Sequence, residues 1–290
     1  VPTTGGLATG VLRYAAAVRA EAVQVFVANP RAWALPGGDA GQEAALREHV
    51  DRTGLPVFVH APYLVNVGSP DPDLRARSAA AIRHSVLRGG RTGARGVVVH
   101  TGSATDRDRA AGLRRVRESL LPLLDAIADD QPGLFLEPMA GQGQMLCATI
   151  SDLAPYLAAL DWHPRASVCL DTCHLFAAGH DLAAPGGVST ALAEFERVAP
   201  GRLRLLHAND SKDRCGSLRD RHEAIGRGQI GARAFGRLLA HPATAGVPFI
   251  VETPGGQRAH AADIATLRGL RARPASRRLA EPTAGGADGA

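Results

Sequence analysis

Lysine is almost absent. All but one of the 33 basic residues are arginine, and Lys212 is the exception. The formal net charge is +5 and the isoelectric point about 9.5. Arginine grips phosphate through a planar fork, so an anionic partner fits. A GC-rich coding sequence gives the same bias, so charge alone does not single out nucleic acid. Cysteine is scarce as well: Cys147, Cys169, Cys173 and Cys215, with no CxxC pair. Four in a chain of 290 residues are no disulfide framework, and a reducing cytoplasm fits best. Long apolar runs are missing. The first segment, VPTTGGLATGVLRYAAAVRAEAV, has no basic n-region, and Arg13 and Arg19 interrupt it. Neither a signal peptide nor a membrane span is expected.

What the chain does have is a series of short apolar, β-branched runs. They are AVQVFV (22–27), PVFVH (56–60), GVVVH (96–100), GLFLE (133–137), SVCLD (167–171), RLRLLH (202–207) and PFIVE (248–252). Each suits a strand covered on both faces. Helical segments rich in Ala, Leu, Arg and Glu separate them. Strand alternating with helix predicts a parallel sheet, and seven or eight such units predict an α/β fold of the (β/α)8 TIM-barrel type. The barrel is expected over 1–272. The remainder, 273–290, is rich in Ala, Gly, Pro and Arg and reads as a disordered tail, and Arg271, Arg273, Arg277 and Arg278 offer loose contacts to nucleic acid.

Six consecutive strands end in a histidine or an acid: His60, His100, Glu137, Asp171, His207 and Glu252. In a parallel barrel, all strand C-termini open on one face. Taken singly, a strand-terminal acid most often caps the next helix. Six in a row, with no lysine or arginine among them, need compensating charge, and metal ions supply it most simply. His174 follows Asp171 by three. Asp220 and His222 are two apart, which in an extended loop aims both side chains the same way. The nine candidates are too many for one ion and suit two or three, with a bridging carboxylate. Imidazole with carboxylate suits Zn²⁺, with Mn²⁺ or Fe²⁺ as partial substitutes. Gly226-Arg-Gly-Gln-Ile-Gly231 fits GxGxxG, but it follows a polar loop late in the chain. It reads as turn and helix-entry glycines, not as a dinucleotide fingerprint.

These residues resemble endonuclease IV, the zinc-dependent apurinic/apyrimidinic endonuclease family. Its signature segments occur in order: VHAPYLVNVGSP (59–70), VHTGS (99–103), LEPMAGQG (136–143), LDTCHLFAAGHDL (170–182), LHANDSK (206–212), DRHEAIGRGQIG (220–231) and VETPG (251–255). The likeness runs from about Val1 to about Arg271. It implies three zinc ions and a TIM barrel. His60, His100 and Glu137 would hold one ion; Glu137 would bridge to a second with Asp171, His207 and Glu252; His174, Asp220 and His222 would hold the third. Glu137, Asp171 and Glu252 are then the catalytic carboxylates. The implied reaction is hydrolysis 5′ to an abasic sugar in duplex DNA, leaving a 3′-hydroxyl and a 5′-deoxyribose phosphate, with trimming of 3′ blocking groups. Arg31 in ANPRAW, and Tyr63, Leu64 and Asn66, are the implied DNA contacts. A monomer, nucleoid-associated in a bacterial-type cytoplasm, is expected, with no membrane partner.

The sequence departs from the family in places. The strand that usually opens the barrel is missing before Val1, so a truncated first strand is expected. Pro138 and Met139 stand where Asn-Thr is usual, and Pro30 replaces a commoner polar residue, which unsettles the surroundings of the ligands and of the damage-site loop. The main alternative is a metal-dependent sugar isomerase or epimerase of the xylose-isomerase type. That chemistry needs one or two metals and has no use for a third site at His174, Asp220 and His222. A DNA-binding scaffold without catalysis is a weaker alternative, because nine uncompensated ligands in one cup would be destabilising.

Overall fold

Each of the seven apolar runs forms a strand in the computed structural model, which describes residues 1–272. The strands are β1 (Val23–Val25), β2 (Val57–His60), β3 (Gly96–His100), β4 (Gly133–Glu137), β5 (Ala166–Asp171), β6 (Leu203–His207), the short pair β7 (Asp210–Ser211) and β8 (His222–Glu223), and β9 (Phe249–Ile250). The helices are α1 (Val11–Val18), α2 (Ala40–Thr53), α3 (Pro72–Thr92), α4 (Arg109–Asp125), α5 (Leu153–Ala159), α6 (Thr172–Ala177), α7 (Gly187–Val198), α8 (Gly231–Ala240) and α9 (Gln257–Ala272). β1 to β6 and β9 form one parallel sheet in the order 1-2-3-4-5-6-9, wrapped by the helices as a TIM barrel. β7 and β8 pair antiparallel above it. No helix among the described residues is long and apolar enough to cross a membrane. The tail at 273–290 lies outside the described residues. Arg271 pairs with Glu21 at 2.6 Å.

The barrel has seven strands, and β9 does not pair with β1 among the described residues. A cavity of about 430 Å³ lies between them, lined by Val23, Phe249, Val251, Tyr14 and Leu267. β1 and β9 are also shorter than their apolar runs. Each has a sheet neighbour on one side only, so its hydrogen-bonded ladder ends early.

Several helices start on an aspartate cap. The Asp39, Asp71 and Asp108 side chains accept backbone N–H groups at the starts of α2, α3 and α4. Beneath the strand ends, Phe58, Val98, Phe135, Cys169, Leu205 and Ile250 fill the barrel interior as a buried cluster of their own. Each stands two residues before His60, His100, Glu137, Asp171, His207 or Glu252. Successive strand side chains alternate faces, so residues two apart share one. The interior layer therefore forces the six polar strand ends into the barrel mouth. Register aligns them further: His100 pairs with Glu137, and Asp171 with His207.

Candidate metal centre

Glu137 sits at the middle of the mouth. Its Oε2 lies 3.3 Å from His60 Nε2 and 3.4 Å from His100 Nε2. Its Oε1 lies 2.9 Å from His207 Nδ1, which is also 3.1 Å from Glu252 Oε2. On the far side, Asp220 reaches His174 Nε2 at 3.2 Å and His222 Nε2 at 3.0 Å. Five groups have ligand atoms within 4.8 Å of one another; two include a cysteine (Glu137, Cys169 and His207; Asp171, Cys173 and His222), and three consist of the sequence candidates alone: His60, His100 and Glu137; Glu137, Asp171, His207 and Glu252; His174, Asp220 and His222. All nine candidates read from the sequence fall in these last three groups, and Glu137 belongs to two of them.

Four of the five histidines have one ring nitrogen committed elsewhere. His60 Nδ1 donates to Ala61 O at 2.7 Å, His174 Nδ1 to Pro138 O at 3.0 Å, and His222 Nδ1 to Glu252 O at 3.1 Å. His207 Nε2 donates to Gln24 Oε1 at 2.9 Å. A carbonyl can only accept, so these bonds place the proton on that nitrogen and leave the other bare in a neutral imidazole. The bare nitrogens face carboxylate oxygens. Two lone pairs at such distances repel unless a proton or a metal cation lies between. His222 Nε2 is buried and makes no hydrogen bond although Asp220 is close. Imidazoles oriented by carbonyls and aimed at carboxylates are the arrangement a divalent metal requires, so the donor set fits one.

Without metal, the proton balance is distorted. Burial would raise the Glu137 carboxyl, but the positive charge and hydrogen bonds of His207, with His60 and His100, hold it well below its usual range. Burial would likewise raise Glu252, but the charge and hydrogen bond of His207, with His60, bring it down to about 2. Burial would lower His174, yet Asp171, Asp220 and Glu137 lift it to about 10. Against the same burial, Asp171 and Asp220 lift His222 to about 9. His100 goes the other way, down to about 4, because burial outweighs Glu137.

Three further buried residues, not singled out in the sequence, brace the cluster. Gln24 of β1 links His207 to Glu252, donating to Glu252 Oε1 at 2.8 Å. Asn209 donates to Asp171 Oδ2 at 2.6 Å and accepts the Glu252 N–H at 2.8 Å. Asp210 accepts the backbone N–H groups of Gly226 and Ile230, just beyond the loop that carries Asp220 and His222. The visible signals were a lone amide inside AVQVFV and the polar pair after His207.

Around the rim, Tyr63 is 47% exposed and Leu64 36%. The Tyr63 ring stacks beside His100, with centroids 5.9 Å apart, and its N–H donates to Pro30 O at 3.0 Å. This ties the β2 loop to the loop carrying Arg31, which is exposed. Burial, then Glu252 and Glu137, push the Tyr63 hydroxyl up to about 12, so it stays neutral. The Asn66 side chain is used internally. Its Oδ1 accepts from Ser103 N at 2.9 Å, and its Nδ2 donates to Ser103 Oγ at 3.0 Å.

A family model described as a xylose isomerase-like TIM barrel matches residues 12–271. A probable endonuclease 4 of Streptomyces coelicolor is 55% identical over 274 residues, covering 93% of each chain. The crystal structure of endonuclease IV from Thermus thermophilus superposes with a TM-score of 0.82 at 31% identity, covering 93% of this chain and 96% of that one. A D-psicose 3-epimerase from Clostridium cellulolyticum shares the fold, with a TM-score of 0.64 at 17% identity, over 90% of this chain and 93% of that one. That last likeness extends to the barrel alone. The chain belongs to the endonuclease IV family of DNA-cleaving hydrolases.

Proposed function

We propose that this protein hydrolyses the phosphodiester bond 5′ to abasic sites in duplex DNA, leaving a 3′-hydroxyl and a 5′-deoxyribose phosphate. Three zinc ions would be held by the three groups: His60, His100 and Glu137; Glu137, Asp171, His207 and Glu252; and His174, Asp220 and His222. The observation that carries the reading is the third group, whose ligand atoms converge beside the first two. Divalent ions in such a site supply a nucleophile at neutral pH and neutralise charge on the attacking and leaving oxygens of a phosphate. A sugar isomerase has no use for the third group.

The chain's own residues set the rest. Glu137 offers one oxygen to each of two groups and so fixes their spacing. The carbonyls of Ala61, Pro138 and Glu252, with Gln24, hold the imidazoles in the tautomers that face inward. Tyr63 and Leu64 are exposed beside the cluster and suited to fill a stack that has lost a base, with Arg31 on the neighbouring loop drawn to the phosphates. Asn66 supports this by bracing its loop against Ser103. The abasic nucleotide itself lowers the unstacking cost. The reading includes trimming of 3′ blocking groups by the same centre, a monomer that leaves the mouth open to DNA, a cytoplasmic location at the nucleoid, and a barrel domain spanning 1–272.

A labelled duplex with one tetrahydrofuran abasic analogue tests the reading, because the analogue cannot undergo β-elimination. Incision immediately 5′ to it, ending in a 3′-hydroxyl, is the expected result. No incision by folded, zinc-replete protein would overturn it.

A further inference from the structure

Asp210 is fully buried, yet it lies outside all three ligand groups. Its carboxylate accepts backbone N–H groups from Ser211 at 2.8 Å, Gly226 at 2.9 Å, Ile230 at 2.9 Å and Gly231 at 3.2 Å. The GRGQIG segment therefore wraps a carboxylate of its own chain, at the start of α8, where partial positive charge favours an anion. Gly228 is needed for the fit: a Cβ there would lie 2.3 Å from Ser211 O and 2.5 Å from Asp210 Oδ1. Ser211 O also accepts the Gln229 N–H at 2.8 Å.

The same two residues form β7. Ser211 pairs with His222, Asp210 with Glu223, and the Lys212 N–H donates to Arg221 O at 3.0 Å. The β7–β8 ladder thus closes the loop bearing Asp220, with His222 in its final pair, and the Asp210 carboxylate holds the segment 226–231 that follows. The ladder has only two residue pairs, too few to hold register alone. The other two ligand groups consist of residues at or just beyond main-sheet strand ends; this loop supplies none of their ligands and touches them only through His222, at Glu252 O and Asp171.

We propose that Asp210 is a positioning residue for the third metal group: it clamps 226–231 so that Asp220 and His222 are presented to His174. The proposal rests on the metal-centre reading above.

Asp210→Asn tests it in the full chain. The amide keeps one acceptor and turns its NH2 toward backbone donors. Metal content after equilibration in zinc buffer, and zinc competition with a chromophoric chelator, are measured beside the wild type. The expected result is selective weakening of one site of three by about 10- to 100-fold, with two unchanged and faster amide exchange over 220–231. Gly228→Ala reaches the clamp from the other side and should give the same selective loss. It decides the matter if Asp210→Asn does not fold. Three unaltered sites in the variants, or equal weakening of all three, would overturn the proposal. Fewer than three sites in the wild type would instead overturn the metal-centre reading on which it rests.

Discussion

The carboxylate of Asp171 accepts the backbone N–H of His174 at 3.1 Å through Oδ1. It accepts Cys173 N–H at 2.6 Å through the same oxygen, and so caps α6. Its other oxygen lies 3.6 Å from His222 Nε2. One acid is therefore both helix cap and member of the cluster. Asp171→Asn keeps an oxygen for the cap, whereas Asp171→Ala removes it at a cost of about 1 kcal/mol. In chelator-treated protein the Ala variant should unfold below the Asn variant, by thermal melting. Both should incise abasic duplex orders of magnitude more slowly than wild type in single turnover. Equal melting of the two would deny the cap its weight.

Gln24 holds His207 by Nε2 and Glu252 by Oε1 at once. Gln24→Leu preserves the approximate bulk and removes both bonds. The His207 N–H is then buried without an acceptor, at a cost of about 1–3 kcal/mol. Zinc affinity should fall by about 10- to 100-fold, in the range typical of groups that orient metal ligands. Chelator competition reads the affinity and denaturant unfolding reads the stability. Unchanged affinity would show that His207 keeps its orientation by packing alone.

Much of this site was legible because strands have a period of two. Phe58 and His60, or Phe135 and Glu137, share a face, so an apolar run ending in a polar residue announces a mouth-lining side chain. Asp220 and His222 were legible by the same spacing in an extended loop. Gln24 was not, because a lone amide in an apolar run is intelligible only when its two partners, from β6 and just after β9, are known. Asp210 was hidden for a related reason. GxGxxG spacing describes a backbone that can wrap an anion, but it does not say whether the anion is a phosphate or the chain's own carboxylate. Pro138 gave the opposite lesson. The unusual side chain leaves the local support of His174 in place, since the contact runs through a backbone carbonyl that any residue supplies.

Proton release should accompany metal loading. In the metal-free protein His174 stands at about 10 and His222 at about 9, so both carry protons at pH 7. Metal binding requires the free imidazole and must expel them. Titrating zinc into apo-protein at pH 7, in buffers of different ionisation enthalpy, should show net proton release that shrinks toward pH 10. Both pKa values are raised above the unfolded value of about 6.5. Their contribution to stability is thus complete below that pH and is lost as the pH climbs through 9 to 10. Apo-protein should melt progressively lower across this window, while zinc-loaded protein should not follow it. Heats independent of buffer would argue that the imidazoles are already neutral.

The loop that presents Arg31 is clasped from beneath. Arg88 of α3 donates to Val27 O at 3.0 Å and Pro36 O at 2.9 Å, the two ends of that loop, and pairs with buried Glu43 of α2. Arg88 and Glu43 are 4% and 1% exposed, so removing the arginine leaves the buried carboxylate with only the more distant Arg91, 3.6 Å away. Arg88→Ala should cost about 3–5 kcal/mol. Arg88→Met with Glu43→Leu removes both charges and should regain most of that stability. Neither variant restores the bonds to Val27 and Pro36, so the loop stays unclasped. The double variant separates folding from recognition: it should melt near the wild type yet bind abasic duplex more weakly, with little change on intact duplex. Fluorescence anisotropy with both duplexes at one fixed salt concentration makes the comparison. Equal losses on the two would assign the loop to general phosphate binding, and no loss would remove it from recognition altogether.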